Sequence, residues 1–309
     1  MRAAVVPANG PADIVEIRPD WPDPGPPGAG EVLIEVAAAA LNPSDVKIRA
    51  GGRAPQAPHF PYVAGREAAG RILHAGPGAE GFARDEAVFA FFGWNARPGG
   101  HAERLVVAAS MVARRPVGTP VATAAAVPLA GLTAWQALRA LDIPPGERVV
   151  VTSGSGGVGH FAVQLAAHRG LEVVATTGPA NADFVRGLGA NQVLDYHDPA
   201  TAGALRGTRF LLDSVGPANI ASYQPGMAEG GRIAAVAGLP SELRADLTAT
   251  AIRCQPSGED LSELAALLAS GALTPTVQEV FPLERVSDAH RLLEGGHVRG
   301  KLVISLTGS

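Results

Sequence analysis

A glycine-rich turn between a strand and a helix constrains this chain more than any other feature. The β-branched run at residues 149–152 predicts a buried strand, and Gly154-x-Gly156-x-x-Gly159 follows it directly. Residues 160–168 then repeat apolar side chains at helical spacing. Glycines in this context permit a tight turn and close approach of the backbone to a pyrophosphate, whose charge the helix N-terminus binds. The loop, including Gly157 and Val158, is therefore predicted to bind a nicotinamide or flavin dinucleotide.

Composition narrows the class of protein. The 309 residues carry a formal net charge of −4, which offers no basic surface for nucleic acid. No apolar run approaches the length that spans a bilayer, and the N-terminal region contains no hydrophobic leader. Cys254 is the only cysteine, which excludes an internal disulfide and a multi-cysteine metal site. We expect a cytoplasmic enzyme without nucleic-acid or membrane partners.

The order of predicted elements indicates the fold class. The first third is rich in short strands and turns, with strands at residues 31–37, 70–74, 86–91 and 103–107, and Thr119 is expected to cap a helix that has Pro120 in its first position. From residue 149 strands and helices alternate, which predicts an α/β fold with a doubly wound parallel sheet. Predicted strands there are 149–152, 172–175, 192–194, 210–213, 233–237 and 248–253, and residues 181–188 form one of the helices. Residues 257–260 are expected to cap a helix over 261–269, followed by a strand (277–281), a helix (286–294) and a last strand (302–306).

Six further motifs carry a resemblance to a known family. They are Leu41-Asn-Pro-Ser-Asp45, Gly65-Arg-Glu-Ala-Ala-Gly70, Leu129-Ala-Gly-Leu-Thr-Ala-Trp135, Leu188-Gly-Ala190, Asp213-Ser-Val-Gly216 and Gly300-Lys-Leu-Val303. With the glycine loop, they resemble the zinc-free quinone oxidoreductase and enone reductase branch of the medium-chain dehydrogenase/reductase superfamily. The resemblance implies a GroES-like catalytic domain at residues 1–119, a Rossmann NADP-binding domain at 120–255 and a segment at 256–309 that completes the catalytic domain.

The same comparison implies that no metal is bound. Zinc-dependent members place a cysteine where this chain has Asn42 and a histidine where it has Arg66. An arginine is cationic and cannot coordinate zinc. Without a Lewis acid, the chemistry shifts from alcohol oxidation towards reduction of an already activated acceptor.

The cofactor prediction depends on the tip of the second Rossmann strand. NAD-dependent enzymes usually carry an acid there for the ribose 2′-hydroxyl, and residues 175–179 contain none. NADPH is therefore expected, although Ala180 and Asn181 stand where the family supplies a basic residue. Thr177, Asn181 and Tyr196 are the candidates for holding the 2′-phosphate, with ordinary turn chemistry as the alternative for Thr177. The turn containing Val236 and Gly238 is expected to contact the nicotinamide carboxamide.

The resemblance also implies the groups around the reacting atoms. The Asn42 amide would hydrogen-bond a substrate carbonyl, Asp45 would lie near the nicotinamide, and Thr133 would line its site. Each residue also has a structural alternative. Asn42 would form an Asn-Pro turn, Asp45 would cap a helix, and Thr133 would be a helix residue that bonds back to the backbone.

The two lysines and two aromatic residues complete the candidate site. The chain has 25 basic residues, of which 23 are arginines and only Lys47 and Lys301 are lysines. Each lysine is therefore a candidate for a site that requires a compact ammonium. Lys47 is assigned to catalysis at the nicotinamide ribose and Lys301 to cofactor binding, with chance survival as the alternative. Phe92 and Trp94 are candidates for packing a flat acceptor, with a role in the core as the alternative.

We therefore expect NADPH-dependent reduction of an enone, an enal or a quinone by hydride transfer, with no zinc. The alternative is a catalytically silent NADPH-binding sensor or structural protein. Residues 248–253 are expected to form an edge strand of the Rossmann sheet, through which relatives dimerise, so a homodimer is predicted.

Overall fold

The computed structural model describes residues 1–52, 59–93 and 95–307. Its strands are β1 (Ala3–Val6), β2 (Glu16–Arg18), β3 (Glu31–Leu41), β4 (Tyr62–Val63), β5 (Glu67–Ala75), β6 (Ala87–Phe91), β7 (Arg104–Ala108), β8 (Val112–Arg114), β9 (Arg148–Val151), β10 (Glu172–Thr177), β11 (Gln192–Asp195), β12 (Phe210–Asp213), β13 (Arg232–Ala235), β14 (Thr248–Ala251), β15 (Val277–Pro282) and β16 (Lys301–Ser305). Its α-helices are α1 (Pro43–Arg49), α2 (Val121–Ala125), α3 (Pro128–Leu141), α4 (Gly159–His168), α5 (Ala182–Gly187), α6 (Thr201–Ala204), α7 (Pro217–Tyr223), α8 (Gly258–Ser270) and α9 (Val286–Glu294). None of the helices described is both long and apolar enough to cross a membrane.

The chain forms two compact units. Unit 1 comprises Met1–Leu129 with Pro256–Ser309, and unit 2 comprises Ala130–Gln255. The boundary predicted after residue 119 precedes the observed one by ten residues. The reason is that α2 packs on β3 and β5 of unit 1, and the Leu129 N–H donates to the Glu67 carboxylate at 2.6 Å.

Unit 1 is built around one long strand. The first half of β3 alternates buried and partly buried side chains, and its last four residues are all buried. It pairs antiparallel with β5, β7 and β16, within a seven-stranded sheet in the order β15-β16-β3-β5-β6-β8 with β7 also on β3. A smaller sheet has the order β2-β1-β4. The C-terminal strand β16 thus completes a sheet that the N-terminal part of the chain begins.

Unit 2 holds the doubly wound parallel sheet that the sequence predicts. Its six strands lie in the order β11-β10-β9-β12-β13-β14, and every pair is parallel. The order reverses between β9 and β12, so their carboxyl ends mark the point at which such sheets bind ligands. Within the part of the chain described, β14 pairs only with β13, which makes it an edge strand.

The helix starts show one correct and one wrong prediction. The Ser257 hydroxyl accepts from the Asp260 N–H at 3.0 Å and caps α8. Thr119, by contrast, does not cap α2, because Pro120 is extended and itself occupies the position before the helix. The helix also stops at Ala125, before Pro128 begins α3, since a residue that precedes proline disfavours helical backbone angles.

Candidate active site

The glycine loop joins β9 to α4 at the carboxyl end of the parallel sheet. Ser153 opens the turn with a φ of +53°, and the Gly156 N–H donates to its carbonyl at 2.9 Å. A Cβ on Gly159 would lie 2.0 Å from that carbonyl oxygen, so a side chain there would displace the loop. No side-chain hydrogen bond caps α4 within the described residues. The N-terminus of such a helix is a position at which proteins bind a pyrophosphate, although the His160 N–H already donates to the Gly156 carbonyl at 3.1 Å.

A buried carboxylate fixes the turn next to this loop. Asp213 ends β12 and is fully buried. Its Oδ1 accepts from the Gly216 N–H at 2.7 Å, and its Oδ2 accepts from the Thr152 hydroxyl at 3.0 Å and from the Asn219 amide. Because Thr152 directly precedes the glycine loop, Asp213 ties together the ends of β9 and β12, where the strand order reverses.

The tip of β10 carries hydroxyl groups rather than charge. Thr177 is buried, and its hydroxyl donates to Ser155 of the glycine loop at 2.9 Å. Its donor hydrogen is therefore used inside the protein, which argues against the direct phosphate contact predicted for Thr177. Tyr196 is 45% exposed, and its ring approaches Gly178. Asn181 is partly buried at the end of the turn that follows β10.

In unit 1, Asn42 lies within a buried charged network. Its amide Nδ2 donates to Glu67 Oε1 at 2.7 Å, and its Oδ1 accepts from the Lys301 ammonium. The ammonium also donates to Glu67 Oε1 at 3.1 Å and to the Leu41 carbonyl at 3.3 Å. Lys301 is 3% exposed and its ammonium is enclosed by acceptors of the protein itself, which gives no support for the prediction that it binds the cofactor.

Asp45 forms a second buried pair beside this network. Its Oδ1 accepts from Arg66 Nε at 3.0 Å, and its Oδ2 accepts from the Asn42 backbone N–H at 2.9 Å. The second bond caps the start of α1, the alternative that the sequence raised. Burial is the largest single influence on Asp45 and raises its pKa, but the Arg66 guanidinium, together with His101 and His290, lowers the pKa by more and holds it below the ordinary value. Asp45 is therefore an anion at neutral pH and not a proton donor.

Three titratable groups surround this pair. Burial lowers the pKa of His101 and lowers the pKa of His290 to about 3, so both imidazoles are neutral at pH 7. Burial, followed by the negative charge of Asp45, raises the pKa of Tyr62 to about 12. The charges of this region at neutral pH are thus carried by carboxylates, guanidinium groups and Lys301.

The side chains at the position of the metal in zinc-dependent enzymes do not fit zinc. Asn42 offers an amide oxygen that already accepts from an ammonium. Arg66 is a cation paired with Asp45, and zinc requires neutral or anionic donors. The two cations of this region, Arg66 and Lys301, have no lone pair with which to coordinate a metal.

The remaining candidates are spread over both units. Lys47 lies exposed on α1, and Thr133 lies buried on α3. Val236 and Gly238 follow the end of β13, with Gly238 at a φ of +113°. Phe92 is fully buried in the hydrophobic core of unit 1, which favours the core alternative and gives no support for a substrate contact. Trp94 lies outside the described residues.

Sequence reasoning missed three residues that organise these sites: Ser155, Glu67 and Asp213. The last two stand inside motifs that carried the family resemblance, and Ser155 is a hydroxyl inside the glycine loop. The signal for the two acids was a carboxylate at the end of an apolar run, with Ala68 and Ala69 after Glu67 and residues 210–212 before Asp213, because a buried charge requires partners.

Comparison with known proteins agrees with this arrangement. The model described as an alcohol dehydrogenase GroES-like domain matches residues 28–117, and the one described as zinc-binding dehydrogenase matches residues 188–304. A quinone-oxidoreductase homolog from chloroplasts of Spinacia oleracea is 33% identical over 299 residues, covering 90% of each chain. A chloroplastic NADPH-dependent alkenal/one oxidoreductase of Arabidopsis thaliana is 32% identical over 286 residues, which cover 89% of this chain and 72% of the relative.

Solved structures give the same grouping. The quinone oxidoreductase from Coxiella burnetii superposes with a TM-score of 0.91 at 29% identity and covers 99% of both chains. These similarities extend over the GroES-like part and the parallel sheet alike, so the predicted fold class is confirmed. The chain belongs to the quinone oxidoreductase and enone reductase branch of the medium-chain dehydrogenase/reductase superfamily, and it is an oxidoreductase that uses a nicotinamide cofactor.

Proposed function

We propose that this protein reduces the activated double bond of an enone or enal, or a quinone, with NADPH and without zinc. The observation that carries the proposal is the charge pattern at the position of the metal. Arg66 and Lys301 are cations fixed by Asp45 and Glu67, and Asn42 provides an amide instead of a thiolate. These side chains do not fit a Lewis-acidic metal. The site therefore favours an acceptor that is already electron-poor and needs no metal to activate it.

The side chains have distinct parts in this reaction. A cofactor held at the glycine loop, from Gly154 to Gly159, would supply the hydride. Asn42 is assigned to donate its remaining amide hydrogen to the substrate oxygen, where negative charge develops as an enolate forms. Asp45 stays ionised beside Arg66, so the proton that completes the reduction is assigned to solvent or to another acid. Lys47 and Thr133 are assigned to positioning the nicotinamide end of the cofactor.

The preference for NADPH rests on the tip of β10. Thr177 ends this strand without a carboxylate side chain, so nothing there repels a 2′-phosphate. Asn181 and Tyr196 are the nearest groups assigned to that phosphate, and Ser155 joins them through its bond with Thr177. The name of the Arabidopsis relative, an NADPH-dependent enzyme for alkenals and enones, supports the same choice.

We also propose that two copies of the chain assemble through β14. This strand lies at the edge of the six-stranded sheet and carries partly or fully exposed side chains. An edge strand presents unpaired backbone groups that a symmetry-related copy can complete.

The experiment is oxidation of NADPH in the presence of but-3-en-2-one and, separately, 1,4-benzoquinone, each with and without a zinc chelator. We expect turnover of at least one acceptor, no loss with the chelator and no stoichiometric zinc in the purified protein. Tight NADPH binding without turnover of either acceptor would instead support the silent binding protein. Loss of activity on chelation would contradict the zinc-free mechanism.

A further inference from the structure

The network around Asn42 contains a buried ion pair whose donors and acceptors match. Lys301 has three N–H donors, and three acceptors surround it: Asn42 Oδ1, the Leu41 carbonyl and Glu67 Oε1. Glu67 accepts in addition from Asn42 Nδ2 at 2.7 Å and, through Oε2, from the Leu129 N–H at 2.6 Å. Glu67 is fully buried, and Lys301 and Asn42 are 3% and 4% exposed.

Stability alone is a weak reason for such a pair. Removing both charges from water costs several kcal/mol per ion, and well-packed apolar residues often replace buried ion pairs without loss. A buried network whose charged groups all have partners is, however, effective at fixing one arrangement of side chains. The arrangement fixed here is that of the Asn42 amide.

The amide lies between opposite charges. The ammonium contacts its oxygen, and the carboxylate contacts its nitrogen. Rotating the amide by 180° would place its oxygen against Glu67 and its NH2 group against Lys301, so both contacts would become repulsive. The surroundings therefore permit a single orientation. A cation on the oxygen also draws electron density from the nitrogen, which strengthens the remaining N–H as a donor.

We propose that Lys301 and Glu67 are positioning residues that lock the Asn42 amide in one orientation and polarise it for hydrogen bonding to the substrate oxygen. The substrate contact rests on the proposed function, whereas the locked amide does not. Lys301 and Glu67 act through the Asn42 amide and do not touch the substrate themselves.

The first test reads the amide directly, without turnover. The chain contains six asparagines, so selective ¹⁵N labelling gives six side-chain amide groups, and Asn42→Ala identifies the signal of Asn42. We expect Lys301→Met and Glu67→Gln each to shift this signal, because each removes one charged neighbour. The control is Arg2→Met, which removes another bonded cation of unit 1: Arg2 donates to Glu103 and Glu284, both at 2.8 Å, and not to Asn42.

The second test is a kinetic cycle on the preferred acceptor. Lys301→Met should lower kcat at least tenfold while KM changes less than twofold. In the Asn42→Ala background, the same substitution should change kcat less than twofold, because the residue through which it acts is gone. Arg2→Met should lower the unfolding temperature and leave kcat unchanged. If Lys301→Met does not yield folded protein, Glu67→Gln is used in the same cycle.

The outcomes separate the inference from the proposed function. An unshifted Asn42 signal in both variants would overturn the inference, as would an equal loss of kcat with and without Asn42. Absence of turnover in the unmodified protein would refute the proposed function, while the amide signal would still decide whether Lys301 and Glu67 position Asn42. A shifted signal together with a kinetic effect that vanishes in Asn42→Ala supports both.

Discussion

Replacing Arg66 with methionine provides a quantitative test of the charge arrangement. The substitution keeps an unbranched apolar stem but removes the guanidinium that pairs with Asp45. The pair is buried, with side chains 12% and 2% exposed and one bond of 3.0 Å. Asp45 would retain its bond from the Asn42 backbone N–H at 2.9 Å, but its charge would be left without a cation in contact.

The magnitude follows from this geometry. Breaking a buried ion pair by removing one partner costs about 3–5 kcal/mol, because the remaining charge stays buried. The partial exposure of Arg66 places the expected loss near the lower end, at about 3 kcal/mol at neutral pH.

The dependence on pH has a definite sign. In the unmodified protein, the pKa of Asp45 is below the ordinary value. Asp45 therefore stabilises the fold above its unfolded pKa of about 3.9, and this contribution is lost as the pH falls through the folded pKa. In Arg66→Met, burial dominates and raises the pKa of Asp45 in the folded protein above its pKa in the unfolded chain. The penalty then disappears as the pH falls through that raised pKa, because a neutral carboxyl is buried at lower cost.

The measurement is urea unfolding of both proteins at pH 8 and pH 5, followed by circular dichroism. The difference in the free energy of unfolding should be large at pH 8 and clearly smaller at pH 5. Arg285→Met is the matched control, since Arg285 pairs with Asp288 at 2.6 Å but the two side chains are 58% and 38% exposed. Its effect should stay below about 1 kcal/mol at both pH values. A loss for Arg66→Met that is equal at the two pH values would refute the reasoning.

Three further predictions concern the cofactor and the assembly. Gly159→Ala should weaken NADPH binding at least tenfold in fluorescence titration, because its Cβ would meet a loop carbonyl at 2.0 Å. Gly187→Ala, whose Cβ would have no atom within 4 Å, should bind normally; equal affinities would show that the loop tolerates the side chain. Asn181→Arg should raise the ratio of kcat/KM for NADPH over NADH by about ten- to a hundredfold, since a charged hydrogen bond contributes roughly 1.5–3 kcal/mol. Tyr196→Phe should lower the same ratio, and an unchanged ratio in both variants would mean that the phosphate is held elsewhere. Light scattering at micromolar concentration should give twice the chain mass of 31.4 kDa, and a monomer there would contradict the pairing of β14.

Local patterns were sufficient to predict the elements of unit 2. Its strands are short apolar runs bounded by glycine and polar residues, and residues 210–213 were predicted with the bounds that β12 has. The glycine loop and the edge position of β14 followed from the same alternation of strands and helices. Such features depend on neighbours in sequence, so spacing reveals them.

Features that depend on distant residues were harder to predict. The rarity of lysine drew attention to Lys301, but its partners Asn42 and Glu67 could not be predicted, because they lie 259 and 234 residues away along the chain. Phe92 illustrates the same limit: an aromatic residue after a strand fits a ligand pocket or a core equally well, and only the packing of unit 1 places it in the core. The end of unit 1 at Leu129 could not be predicted either, since it depends on α2 packing against β3 and β5.

The division of unit 1 between the two ends of the chain has a consequence for its biogenesis. During synthesis, the continuous segment Ala130–Gln255 is complete before the ribosome reaches β15 and β16. The sheet of unit 2 can therefore form before unit 1 is complete. Until β16 emerges, residues 38–41 of β3 lack the strand with which they pair, and an open strand edge invites aggregation. Glu67 also lacks the ammonium that pairs with its carboxylate until Lys301 has been synthesised. A nascent chain stalled before β16 would therefore carry a complete parallel sheet in unit 2 and an incomplete seven-stranded sheet in unit 1.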